Sequence, residues 1–351
     1  MKIAIIIPRI DQFGPVKTVQ SLVNQLGKSG NLQIKVFYLD KIVDPQVKIL
    51  VPVERLSYRK FCFSDFDIIH TNGIRPDLFA FNNREKIRYH ISTIHNLVFE
   101  DLRFTYNRLV SLISGNLWLI LWRKADKLVC VSNTTKIYYE KWFSSSKLGV
   151  IYNGIPVQEN SVEPDNNVIK VIKDFRAEGL KVIGSAGILT KRKGIDQILY
   201  LAAEVNYLAV VIIGTGKELK SLKRLSEKLK ISDRCYFSGF MSFAVNYFKH
   251  FDLFLMPSRS EGFGLALIEA VQQKVAVICS DIAVFRELFS SDEVTFFRLE
   301  DRNSLIEALS EALKTGKNKT ESAYVRYLNN YTDVLMANRY YEIYCSALAF
   351  P

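Results

Sequence analysis

Two glutamates eight positions apart, Glu261 and Glu269, bracket a glycine loop in the run Ser258-Arg-Ser-Glu-Gly-Phe-Gly-Leu-Ala-Leu-Ile-Glu269. Carboxylates accept hydrogen bonds from hydroxyl groups, and Gly262 and Gly264 let backbone N–H groups come close to a ligand. The pair suits a polyol or a ribose, and N–H groups at a helix start suit a phosphate. Cations that could meet such an anion stand in a second run, Ile188-Leu-Thr-Lys-Arg-Lys-Gly194, which holds Lys191, Arg192 and Lys193. His70 and His95 each close an apolar run and are expected at the carboxyl edge of a sheet, where ligands of parallel α/β folds bind.

These residues need a scaffold that brings loop ends together. Asp252-Leu-Phe-Leu-Met256, closed by Pro257, predicts a buried parallel strand, Leu265 to Gln273 a helix, and Val275 to Cys279 the next strand. That order of strand, glycine loop and helix start puts Glu261 in the loop and Glu269 in the helix. The same alternation recurs from the first residues, with a strand over Met1–Ile7, a loop ending in Gly14 and a helix over Pro15–Leu26. Further strands are expected at Ile34–Tyr38, Asp67–His70, Arg88–Ile94, Asp126–Ser132, Lys181–Gly187 and Ala209–Ile213. Leu109–Trp122 predicts an apolar helix, which reads either as a packing helix or as one lying at a membrane interface.

The Pro-Ser start, the Glu-Gly-Phe-Gly core and the Glu-(seven residues)-Glu spacing resemble the signature of retaining nucleotide-sugar glycosyltransferases of glycosyltransferase family 4, which have the GT-B fold. The resemblance implies an α/β protein of two Rossmann-like domains facing a cleft, with a C-terminal helix returning to the first. It places residues 1–156, with 331–351 packing back, on the acceptor side and residues 157–330 on the donor side. The irregular stretch Val157–Phe175 is expected as the linker, and Tyr324–Ser346 as the long returning helix.

The resemblance also assigns residues. Glu261 orients sugar hydroxyls, Glu269 takes the ribose, and the backbone of Gly262, Phe263, Gly264 and Leu265 faces the phosphates. Lys193 with Gly194 matches the family's pyrophosphate clamp, but Ile188 stands where the family has an arginine, so Arg192 is the expected substitute. His95 is expected to face the sugar and Gly14 to lie near the donor, in a first loop with one glycine where the family has two. Gly214, Gly239, Phe240 and Met241 fall where the family holds the base. The implied reaction is transfer of a sugar from a UDP- or GDP-sugar to a hydroxyl of a saccharide or lipid-linked saccharide in cell-envelope polysaccharide synthesis, with no metal and no other cofactor.

Composition bounds these readings. A chain of 351 residues fits two domains, and its 48% hydrophobic and 24% charged residues are those of a globular protein. No apolar run reaches the ~18–20 residues that cross a bilayer, and the chain opens on a strand, so a cytoplasmic location is expected. Five scattered cysteines form no C-x-x-C pair, and four histidines show no metal-ligand spacing. The net charge of +11 is lopsided: residues 1–155 hold 22 Lys and Arg against 12 Asp and Glu, the remainder 25 against 24. A basic first half points to an anionic surface, such as a membrane on whose inner face the protein would sit peripherally. Two alternatives stay open, a nucleotide-sugar epimerase of the same fold and a nucleic-acid-binding protein. No RNA- or DNA-binding motif supports the second, so nucleic acid is not expected as a partner.

Overall fold

The computed structural model describes residues 1–157 and 166–349 apart from Ser29, Asn31 and Pro45. The chain divides into two units, Met1–Val157 with Asn330–Pro351, and Gln158–Asn329.

The first unit runs β1 (Lys2–Ile7), α1 (Gly14–Gly27), β2 (Gln33–Tyr38), β3 (Val53–Arg55), β4 (Ile68–Asn72), α2 (Ile74–Asn82), β5 (Tyr89–Ile94), α3 (Val98–Thr105), α4 (Arg108–Arg123), β6 (Lys127–Cys130), α5 (Asn133–Tyr139) and β7 (Leu148–Val150). Its seven strands form one sheet in the order β3-β2-β1-β4-β5-β6-β7, every pairing parallel. Ile3 to Ile7 are buried without alternation, as a strand covered on both faces requires. Pro15 fits the first turn of α1, where its missing N–H costs no hydrogen bond, and Val16, Val19, Leu22, Val23 and Leu26 turn one stripe onto the core.

The second unit runs α6 (Asn166–Ala177), β8 (Lys181–Ala186), α7 (Ile195–Glu204), β9 (Leu208–Ile213), α8 (Leu219–Lys228), β10 (Cys235–Gly239), β11 (Leu253–Met256), α9 (Leu265–Gln272), β12 (Val277–Ser280), α10 (Ala283–Leu288), β13 (Thr295–Phe297) and α11 (Arg302–Asn330). Its six strands are again all parallel, in the order β10-β9-β8-β11-β12-β13. In each sheet the order reverses beside the first strand, at β1/β4 and at β8/β11. Loops leaving the carboxyl ends of such a pair diverge and leave room for a ligand. The last helix, α12 (Asp333–Ala349), belongs to the first unit, where Met336, Ala337, Tyr340 and Tyr344 join the core around β1 and α1.

Three expectations change. Of the linker expected at Val157–Phe175, residues 158–165 lie outside the described residues, and residues 166–175 are part of helix α6. Its Val168, Ile172 and Phe175 recur at helical spacing and are buried, a stripe hidden in the sequence by the polar residues between them. The tyrosine-rich stretch Tyr324–Ser346 is not one helix. It breaks at Tyr331 and Thr332, where Thr332 bridges Ile155 and the chain passes from α11 to α12. His70 does not end its strand but sits in the middle of β4, fully buried.

Candidate active site

The second unit's candidates gather at the β8/β11 switch point. The chain leaves β8 at Gly187 with φ +144°, makes a 3-10 turn over Lys191–Lys193, and enters α7 through Gly194 at φ +66°. A Cβ at Gly194 would stand 2.1 Å from the Pro257 carbonyl, so only glycine lets this turn lie against the loop leaving β11. Pro257 begins that neighbouring loop. Contact between the two loops brings three sequence-predicted residues together.

Glu261 is the centre of that cluster. It is buried, and its Oε1 accepts from Lys193 Nζ at 2.6 Å and from Ser258 Oγ at 2.9 Å, while Oε2 faces an Arg192 guanidinium nitrogen at 2.8 Å. The same Arg192 nitrogen donates to the Ser260 carbonyl at 2.6 Å. Burial alone would raise the carboxyl's pKa, but the charges of Arg192 and Lys193 outweigh it and hold Glu261 down at about 2. Glu261 is therefore an anion at neutral pH.

Arg259 fixes the basic turn from behind. Its N–H donates to the Arg192 carbonyl at 2.7 Å, and its guanidinium reaches the Lys191 carbonyl, both oxygens of Asp196 at 3.0 and 2.7 Å, and Glu300. A bidentate arginine of this kind specifies geometry as well as charge. Sequence reading missed Arg259, Ser258 and Asp196, because nothing in Pro-Ser-Arg-Ser marks which side chain turns back onto a loop some 68 residues earlier.

Gly264 caps the start of α9 at φ +98°, and a Cβ there would lie 2.6 Å from the Phe285 ring. The first turn of α9 leaves its leading N–H groups unused by the helix, beside Gly262 and Phe263, both buried. Leu265 is half-buried at the helix start, and Glu269 lies in the second turn, buried. Behind the basic loop, Gly214 donates its N–H to the Gly239 carbonyl at 2.8 Å, and a Cβ at Gly214 would stand 1.9 Å from the Gly187 carbonyl. The loops after β8, β9 and β10 thus meet at one edge. Phe240 is exposed there and Met241 half-buried.

Ile188 is exposed and carries no group for an anion, whereas Arg192 turns inward with its side chain 19% exposed. Lys193 occupies the space beside Gly187, its Nζ 3.8 Å from where a Cβ of that glycine would stand. Among the described residues, no group of three or more His, Cys, Asp or Glu side chains is placed to hold a metal ion.

Gly14 and His95 belong to the first unit. Gly14 opens α1 without a positive φ. His95 follows β5, its Nε2 hydrogen-bonded to Asn72 Oδ1 at 2.9 Å, and burial pushes its pKa down to about 4, so the ring is neutral near pH 7. His70 is satisfied by hydroxyls, with Nδ1 against Tyr344 and Nε2 against Thr93, each at 2.7 Å. It anchors α12 to the sheet.

Comparison with known proteins decides the family. The chain is 33% identical over 354 residues to "O-antigen biosynthesis glycosyltransferase WclY" of Escherichia coli, covering 98% of both chains. It is a glycosyltransferase. Within this glycosyltransferase, the family "Glycosyl transferases group 1" matches residues 169–328, and "Glycosyltransferase Family 4" matches residues 39–159. It is also 26% identical over 288 residues, 78% of this chain and 75% of the other, to the Campylobacter jejuni enzyme named as an N-acetylgalactosaminyltransferase acting on a diphospho-undecaprenol-linked saccharide. Anabaena HepE, solved in complex with UDP-glucose, shares the fold at TM-score 0.83 with 16% identity, covering 99% of this chain and 100% of that one. Sucrose-phosphate synthase from Thermosynechococcus elongatus does so at TM-score 0.80 with 17% identity over the whole of both chains. The two Rossmann-like units are those of the GT-B fold.

Proposed function

We propose that this glycosyltransferase moves a hexose from a UDP- or GDP-sugar to a hydroxyl of a saccharide or lipid-linked saccharide, with retention of configuration and without a metal, as a family 4 enzyme of cell-envelope polysaccharide synthesis. The observation that carries it is the Arg192–Glu261–Lys193 cluster at a helix-start loop. Two cations stand against Glu261 in the loop that leads into α9, whose first-turn amides favour an anion, and this is where the reading puts the diphosphate.

Breaking the bond between the sugar and the diphosphate puts negative charge on the leaving oxygen and positive charge on the sugar ring. Lys193, Arg192 and the first-turn amides of α9 stabilise the leaving charge in fixed positions, which is the largest single contribution such a site can make. As the phosphates take up these cations, Glu261 becomes available to accept hydroxyl hydrogens of the sugar. Glu269, in the second turn of the same helix, takes the ribose. The proton of the acceptor hydroxyl passes to the departing phosphate, and no protein nucleophile is assigned.

WclY by its name serves O-antigen biosynthesis, and the Campylobacter relative acts on an undecaprenol-linked saccharide, which supports a polysaccharide context and a lipid-linked acceptor. A peripheral position on the inner face of a membrane follows from such an acceptor. The test is a thermal-shift panel of UDP-, GDP- and ADP-sugars, since a ligand at 100 times its dissociation constant stabilises by about 2.7 kcal/mol. It is followed by transfer with and without EDTA and NMR of the product's anomeric proton. No shift with any nucleotide-sugar removes the donor assignment, an inverted anomer removes retention, and loss of activity in EDTA removes metal independence.

A further inference from the structure

Helix α4 has two faces of opposite fate. Ser111, Gly115, Leu119 and Trp122 are buried, and Ser111 Oγ donates to the Phe99 carbonyl at 2.6 Å. A Cβ at Gly115 would stand 2.4 Å from the Phe99 ring, so α3 and α4 approach closely there. Trp118 and Trp122 both donate their Nε1–H to Asp77 Oδ2, at 2.8 and 2.9 Å. These bonds lock the rotation of α4.

The opposite face is apolar and open. Leu109, Leu112, Ile113, Leu117 and Ile120 are between 46% and 65% exposed, and with Asn116 they recur at intervals of three and four residues. Because the indoles pin the inner face, this stripe cannot turn inward to hide. A continuous line of exposed Leu and Ile marks an interaction site rather than ordinary surface.

Charge selects the occupant. Between Arg108 and Arg123 the helix carries no acidic residue, and exposed Arg103, Arg108, Arg123 and Lys124 stand near its two ends. Apolar residues flanked by cations match a bilayer interface, where Leu and Ile enter the acyl boundary and the long basic side chains reach up to lipid phosphates. A helix of 16 residues is too short to cross the bilayer, and no helix among the described residues is long and apolar enough to do so. The surplus of basic residues in 1–155 has the same sign.

We infer that α4 is the membrane-docking element of this protein, lying in the plane of an anionic bilayer surface with Leu109, Leu112, Ile113, Leu117 and Ile120 inserted. The inference rests on the reading that the acceptor is lipid-linked, and it names the surface that would carry the enzyme to it.

Sedimentation of the whole protein with phosphatidylglycerol vesicles, compared with phosphatidylcholine vesicles, tests it. The wild type is expected to bind the anionic vesicles and to release as salt rises. The variant L112S/I113S/L117S/I120S is expected to lose roughly 100-fold in partitioning, from four apolar side chains no longer inserted. The variant R108E/R123E is expected to lose at least about 5-fold for each charge. All four serines replace exposed side chains, so an unchanged melting temperature serves as the folding control. Retained vesicle binding by the serine variant, equal binding to both lipids, or no binding by the wild type overturns the inference. A concentration-dependent dimer that the serine variant abolishes assigns the face to a second copy and overturns it equally. Vesicle binding uses no donor, so a failure here leaves nucleotide-sugar stabilisation intact, and the converse result strikes the donor assignment alone.

Discussion

The two units share an all-parallel sheet with the same kind of switch point, yet their main buried polar clusters differ. The first unit's joins histidines and hydroxyls to one carboxylate, Asp77. His70 binds two hydroxyls, Thr93 Oγ1 also meets Tyr340, and Thr71 Oγ1 lies 2.8 Å from His90 Nε2 while donating to Asp77. Asp77 accepts from Thr71, Ser92, Trp118 and Trp122 and faces no cation in that set. The second unit uses ions, Glu261 between Arg192 and Lys193 and Arg259 between Asp196 and Glu300. A network without a cation holds shape, whereas cations held by a buried carboxylate are a place that an incoming anion can claim.

Acid is expected to separate the units most. Burial lowers His70 and His90 to about 3 and His95 to about 4, all below the ordinary value of 6.5. As pH falls through 6.5 the unfolded chain therefore binds protons that the folded chain refuses, and each histidine removes about 1.4 kcal/mol of stability per pH unit. The loss runs from pH 6.5 down towards 4. Asp77, which burial raises, works in the other direction and offsets part of it. Glu261 contributes stability that is fully present above its ordinary 4.5 and fades only as pH approaches 2. Hydrogen exchange followed from pH 7 to 5 should show the first unit opening before the second, and simultaneous opening would refute the contrast.

Next in size is Asp77→Ala. It removes an acceptor from two indole N–H groups and two hydroxyls, of which Trp122 keeps Ser92 Oγ at 3.0 Å and Thr71 keeps the Ile91 carbonyl at 3.3 Å. Orphaned buried donors cost about 1–3 kcal/mol each, so a total of about 2 kcal/mol or more is expected from Trp118 and Ser92. A thermal or urea melt reads it. A loss under 1 kcal/mol would mean that water replaces the carboxylate and that α4 is not pinned as described.

The ionic cluster should respond differently, in function before stability. Lys193→Ala is expected to lower kcat/KM by about 100-fold or more, as loss of one preorganised donor to a developing anion does. Glu261→Gln should split the constants. It removes the negative charge from between two cations, so free UDP or GDP binds more tightly while turnover falls, because Gln orients sugar hydroxyls less well. Calorimetry with the diphosphate, set beside steady-state kinetics, checks both. Weaker diphosphate binding in Glu261→Gln would show that the carboxylate organises the cations rather than competing for them.

The sequence made the second unit's site more legible than the first unit's. Glu261, Lys193 and Gly264 lie in short runs marked by glycines and charges, so local reading found loops that the fold sets side by side. His70 looked like a rim residue because a strand's end is hard to fix from an apolar run, and β4 continues through Thr71 and Asn72. Helix α6 looked like linker since its three buried residues are diluted by Asn, Lys and Asp. Short β3, with all three residues exposed, carries no periodicity at all. Arg259 was out of reach for a different reason: its partners Lys191, Asp196 and Glu300 are brought to it only by the fold.

The smallest expected effect bears on the departure at Ile188, where the resemblance called for an arginine. Arg192 already points at Glu261, and Ile188 is exposed beside Gly187, so Ile188→Arg adds a third cation to a cluster holding two. Another cation near an anion site that is already matched adds little, because the attraction is partly screened by solvent and its side chain loses freedom in making the contact. A change of less than about 3-fold in kcat/KM is expected for Ile188→Arg alone. In an Arg192→Ala background the same substitution should recover a substantial part of the lost rate, since the two positions then offer alternative forks to one diphosphate. A double-mutant cycle measures this, and residues serving one partner should show an interaction of about 0.5–3 kcal/mol. Strict additivity would mean that position 188 cannot reach the phosphates. Full activity of Arg192→Ala alone would leave Lys193 and the α9 amides as the whole of the clamp.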